Sequence, residues 1–176
     1  VQKVLQDFGM PYTGSSVLAS ALGMNKALAQ KHFKDNGFKV PPFMVLKKEN
    51  IDDSSADDIY NYFPQPSVIK PATGGSSLGV SVARSKSEIR EALNKALLHS
   101  DTVLVEEYID GKEATCGVID EFRGDECHAL MPTEIIDISN GDIWGYESKY
   151  DDALHEIRCP GNFSREEKAS IQEIAR

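Results

Sequence analysis

Ten residues, Lys70-Pro71-Ala72-Thr73-Gly74-Gly75-Ser76-Ser77-Leu78-Gly79, constrain the fold of this chain more than any other stretch. They separate two short apolar runs, Ser67-Val68-Ile69-Lys70 and Val80-Ser81-Val82-Ala83, both of which read as strands. A glycine-rich loop that leads into a strand is not a Walker A loop, in which the lysine follows the glycines and a helix begins. The chemistry still suits an anion. Gly74, Gly75 and Gly79 allow close backbone approach and inward-turned N–H groups, Ser76 and Ser77 add hydroxyls, and Lys70 brings an ammonium from the end of the preceding strand. Glycine–serine pairs are equally common in flexible hairpin connections, so the loop by itself leaves both readings open.

The elements around this loop alternate irregularly. Val1, Val4, Leu5 and Phe8 have helical spacing, stopped by Gly9 and Pro11. Ser15-Ser16 signals a second helix, and a third runs from about Met24 to Asn36, ending at Gly37. Val40 to Leu46 reads as an extended strand with prolines at its entry, and Asp52 to Ser55 caps a helix that Pro64 and Pro66 end. Ser87 opens a helix with Ile89, Leu93, Ala96 and Leu97 on one face, and Glu88 in its first turn suits the helix dipole. Val103 to Ile109 is a buried strand, Glu113 to Ile119 another, and Ala129 to Ile136 a third, followed by a turn at Asn140-Gly141-Asp142. Ser164 caps a last helix through Ile174. The order predicts an α+β fold with mainly antiparallel sheets and flanking helices, not a doubly wound one.

Composition limits what such a chain can bind. A net charge of −9, from 28 acidic and 19 basic residues, argues against a general nucleic-acid binder and requires any phosphate site to concentrate its positive charge locally. The longest apolar stretches are too short to cross a bilayer, and Val1 to Asp7 lacks the regions of a secretory signal, so a cytoplasmic location is expected. Cys116, Cys127 and Cys159 have the spacing of neither a disulfide framework nor a zinc site.

Two further clusters carry polar groups. Glu106 and Glu107 end an apolar strand, and Glu113 follows a turn at Asp110-Gly111; carboxylates there suit the amino and hydroxyl hydrogens of a base and a ribose, or are simply a solvated strand end. Glu147-Ser148-Lys149-Tyr150, after Trp144-Gly145-Tyr146, reads as a surface loop or a polar lid.

Taken in order, these residues resemble D-alanine–D-alanine ligases of the ATP-grasp superfamily over almost the whole chain. The resemblance rests on Pro11-Tyr12-Thr13-Gly14-Ser15, Ser20-Ala21-Leu22 and Lys26; on Lys70-Pro71 and Gly75 to Val80; on Val103 to Glu113; and on Glu147-Ser148-Lys149-Tyr150 with Cys159-Pro160. It implies an ATP-grasp fold fragment: residues 1–25 as the end of an N-terminal substrate domain, 26–113 as a central subdomain, and 114–176 as the start of a truncated C-terminal one. It implies roles as well. Lys26 and Lys70 contact the ATP phosphates, and Ser76 and Ser77 lie in the loop that closes over them and over the dipeptide site. Glu106 takes the adenine amino group beside backbone groups of Glu107 and Ile109, and Glu113 takes the ribose hydroxyls. Lys149 reaches the transferred phosphate, and Tyr150 sits near the second amino acid. Ser76, Lys149 and Tyr150 are thus the expected catalytic set.

The implied reaction joins two D-alanines through an acyl phosphate, for peptidoglycan precursors, with ATP and Mg2+ as cofactors. The metal-binding carboxylates of the family are expected beyond Arg176 and its first D-alanine motif before Val1, so the chain is expected to be a fragment, inactive alone, from a protein that is a possible homodimer. Gly74, where the family has a bulkier polar residue, predicts a more mobile loop, and Ser148 replaces the family's usual alanine. Two alternatives share the nucleotide residues: another ATP-grasp carboxylate–amine ligase, and a non-catalytic nucleotide-binding module.

Overall fold

The computed structural model describes residues 1–138, 145, 149–151 and 153–176. It divides into two compact units, Val1–Tyr108 and Ile109–Arg176.

The first unit runs α1 (Gln2–Asp7), α2 (Val17–Gly23), α3 (Lys26–Asp35), β1 (Phe43–Lys47), α4 (Ser55–Tyr62), β2 (Ser67–Pro71), β3 (Ser81–Ala83), α5 (Lys86–Leu97) and β4 (Thr102–Glu107). The helix starts follow local chemistry: the side chains of Ser16, Asn25 and Ser85 accept from the backbone N–H groups of Ala19, Leu28 and Glu88. Ser85, not Ser87, is therefore the cap of α5, because it alone stands three residues before an N–H that needs an acceptor. Before α4, the Asp52 carboxylate accepts from the N–H and hydroxyl groups of Ser54 and Ser55, which hold it below the ordinary carboxylate range.

The strands form one antiparallel sheet in the order β1-β4-β2-β3. Alternation sorts its side chains. Ile69, Val103 and Val105 face one way and pack with Ala56 and Ile59 of α4 and Ile89, Ala92, Leu93 and Ala96 of α5. This is the core, and Ile69, Ile89, Val103 and Val105 are fully buried within it. Lys70, Leu104 and Glu106 occupy the intervening positions and so belong to the other face, where Lys70 pairs with Leu104.

The second unit contains β5 (Glu113–Thr115), β6 (Val118–Phe122), β7 (Asp125–Ala129), β8 (Thr133–Asp137), β9 (His155–Arg158) and α6 (Arg165–Ala175). A three-stranded sheet has the order β5-β8-β9, and β6 and β7 form a separate hairpin. The strand expected from Glu113 to Ile119 is thus two strands, broken at Cys116-Gly117, and the one expected from Ala129 to Ile136 is broken before Thr133. The turn at Asn140-Gly141-Asp142 lies outside the described residues. Ser164 and Glu167 form a reciprocal capping box at α6.

One carboxylate organises this unit. Glu134 on β8 is 5% exposed, accepts from the N–H of Asn162 at 2.8 Å, and has Lys112 Nζ at 3.5 Å and Arg158 Nη1 at 3.8 Å. The Asn162 hydrogen bond is the chief reason that its carboxyl is held below the ordinary range, with the two cations adding to it.

Candidate nucleotide site

Helix α3 lies against the glycine loop and the polar sheet face through one stripe. Lys26, Gln30 and Lys34 are spaced four apart, so they share a helix side. Lys26 Nζ donates to the carbonyls of Pro71 at 3.1 Å and Gly74 at 2.9 Å. Gln30 Nε2 donates to Glu106 Oε1 at 2.8 Å, and the Lys34 ammonium stands 5.8 Å from the centre of the Phe43 ring on β1. The backbone reinforces this contact: Lys26 N–H donates to Ala72 at 2.7 Å, and Asn25 bridges Thr73. The start of α3 and the entry of the loop are one built structure.

The loop turns tightly past that point. Leu78 N–H donates to Gly75 and Val80 N–H to Ser77, each at 3.2 Å. Ser76 and Ser77 both have left-handed backbones, with φ of 53° and 55°, a conformation that costs a residue with a Cβ about 1–2 kcal/mol. Both serines are partly buried. Gly79, at φ 74°, packs so closely that a Cβ would stand 2.7 Å from the His99 ring and 2.9 Å from Pro71.

On the sheet face, Lys70 Nζ forms an ion pair with Glu106 Oε2, their side chains 20% and 7% exposed. The register explains the contact: Lys70 pairs with Leu104, so Glu106 is its diagonal neighbour on the same face. The two Glu106 oxygens therefore have separate partners, Lys70 on one and Gln30 on the other. Glu107 alternates to the opposite face, and its N–H donates to the Pro42 carbonyl at 3.0 Å.

The structure brings Lys26, Lys70, Ser76, Ser77, Glu106 and Glu107 into the first unit, with Lys26 Nζ on the carbonyls of Pro71 and Gly74 and Lys70 directly before Pro71. Ile109, Glu113, Lys149 and Tyr150 belong to the second. There Glu113 is on β5, where loss of hydration raises its carboxyl above the ordinary range; Lys149 opposes that rise and Asp137 adds to it. By surface area Glu113 is exposed, so the protein atoms crowding it remove only part of its water. Lys149 N–H donates to Gly145 at 3.1 Å, and Tyr150 and Ile109 are 67% and 63% exposed. Sequence reasoning missed Gln30 and Asp137. For Gln30 the signal was present, a polar residue one helical turn from Lys26.

Solved structures place this arrangement among the ligases of the ATP-grasp fold. The VanG D-Ala:D-Ser ligase from Enterococcus faecalis matches with a TM-score of 0.82 at 32% identity, over 99% of this chain and 49% of that one. The D-alanyl-alanine synthetase A from Vibrio cholerae matches with a TM-score of 0.80 at 26% identity, over 99% of this chain and 52% of that one. The family model described as D-ala D-ala ligase C-terminus matches residues 32–176, and the chain belongs to that family. It is 36% identical over 160 residues to a D-alanine--D-alanine ligase from Geobacter sulfurreducens, covering 91% of this chain and 47% of the relative. It is 30% identical over 176 residues to one from Mannheimia succiniciproducens, covering 100% of this chain and 55% of the relative. The chain spans about half the length of these curated relatives.

Proposed function

We propose that this chain supplies nucleotide-binding groups to an ATP-dependent ligase that joins two D-alanines for peptidoglycan precursor synthesis in the cytoplasm. The observation that carries this reading is the pair of lysines, Lys26 and Lys70, held by α3 and β2 at a glycine–serine loop with an acceptor carboxylate on the same sheet face. In an acidic chain this is the local concentration of positive charge that a triphosphate needs.

On this reading Lys26 and Lys70 bind phosphate oxygens, and Ser76 and Ser77 close over them. Glu106 accepts from the base amino group beside the main chain of Glu107 and Ile109. Glu113 accepts from the ribose hydroxyls, Lys149 meets the transferred phosphoryl group, and Tyr150 stands by the second amino acid. The D-alanine carboxylate attacks the γ-phosphorus and ADP leaves. The amine of the second D-alanine, having lost a proton, then attacks the acyl phosphate carbonyl, and phosphate departs as the peptide bond forms. Lysine charge stabilises the phosphoryl oxygens during the first step, and exclusion of water protects the acyl phosphate before the second. Mg2+ accompanies the nucleotide; among the described residues no group of three or more His, Cys, Asp or Glu is placed to hold it, so none is assigned to the metal. Residues 1–25, 26–113 and 114–176 serve as parts of a substrate domain and of two ATP-grasp subdomains.

The likeness to a D-Ala:D-Ser ligase gives a second reading, in which the acceptor is D-serine. Phosphate release from ATP by the full-length protein tests both. D-alanine alone is expected to stimulate release and yield D-alanyl-D-alanine. Release that needs D-serine favours the second reading, and release that ignores both amino acids contradicts the two together.

A further inference from the structure

Gln30 has no role in the reading above, yet it holds one oxygen of the carboxylate that this reading assigns to the base. Its Nε2 donates to Glu106 Oε1 at 2.8 Å, while its own Oε1 is buried and accepts no hydrogen bond among the described residues. A buried carboxylate is costly unless donors surround it. Lys70 now supplies the donor at Oε2. When that lysine serves a phosphate as well, the Gln30 amide is what keeps Glu106 in one orientation.

Resting on the nucleotide reading, we propose that Gln30 is a positioning residue for the nucleobase. By fixing Oε1 of Glu106 it presents the carboxylate to an exocyclic amino group, and so selects adenine over purines that carry an oxygen at that position. A carboxylate oxygen accepts from an amine and repels a carbonyl oxygen.

The test is a titration of ATP and of inosine triphosphate into the full-length protein, as wild type, Gln30→Met, Glu106→Ala and the double variant. Gln30→Met is expected to weaken ATP about tenfold, because Glu106 loses the donor that fixes Oε1 and must be ordered when the base binds, while inosine triphosphate changes less than about twofold. In the Glu106→Ala background the same change is expected to cost ATP nothing further, because Gln30 acts through Glu106. Inosine triphosphate binding also reports that each variant is folded. Equal losses for both nucleotides, no loss for either, or a full additional loss in the double variant would overturn the role of Gln30. Wild-type protein that binds neither nucleotide would overturn the nucleotide reading itself, and this inference with it.

Discussion

Lys70 and Glu106 carry most of the meaning at the level of single side chains. Each is expensive to bury alone, and the diagonal register of β2 and β4 is what makes the pair affordable. Gly79 illustrates a different constraint, where backbone conformation and space coincide. Gly79→Ala must place a Cβ in the left-handed region and push against His99 and Pro71, so it is expected to destabilise the first unit by about 2 kcal/mol or more, read by urea denaturation. Glu134 gives a pH dependence in the second unit. Its folded carboxyl is held below the ordinary range, so its stabilisation is complete above the unfolded value and is lost as pH falls through the folded one. Denaturation midpoints are therefore expected to drop in acid below the normal glutamate range, and Glu134→Gln is expected to flatten that drop while lowering stability at neutral pH. A variant with the same acid profile as wild type would exclude Glu134 as a source.

Helices were more legible than strands, for physical reasons. Helix starts announce themselves through caps, as at Ser16 and Ser164, and the apolar stripe of α5 is visible as Ile89, Leu93 and Ala96. The buried strands β2 and β4 were equally plain, because burial demands apolar residues. The β6–β7 hairpin was not. All of β6 is exposed, so no apolar alternation marks it, and the turn that makes it depends on the left-handed backbones of Arg123 and Gly124. Strand β9, His155–Arg158, is a charged edge with a single aliphatic residue and carries no strand signal of its own. At this scale the test is α5: Ile89→Ala removes a fully buried side chain from the core and is expected to cost about 3 kcal/mol in urea denaturation. A loss below about 1 kcal/mol would show that α5 is not the lid of that core.

For the whole molecule, the candidate residues were more legible in the sequence than their neighbours. The loop, Lys70 and Glu106 stood out from composition and order, though a flexible hairpin and a solvated strand end explained them equally, and Lys26 came only through the family resemblance. What they touch depends on tertiary packing: the stripe of α3 over the sheet, with Gln30 on Glu106, comes from helix phase and strand register acting at once. In so acidic a chain the proposed triphosphate site would depend on local cations, Lys26 and Lys70 among them. ATP affinity of the full-length protein, measured by titration calorimetry for wild type and Lys70→Ala with thermal melting to confirm that both are folded, tests this most directly. At least about a tenfold loss is expected for the variant, from the removal of one charge-assisted contact; an ATP affinity equal to wild type in a folded variant would rule out Lys70 as a phosphate ligand.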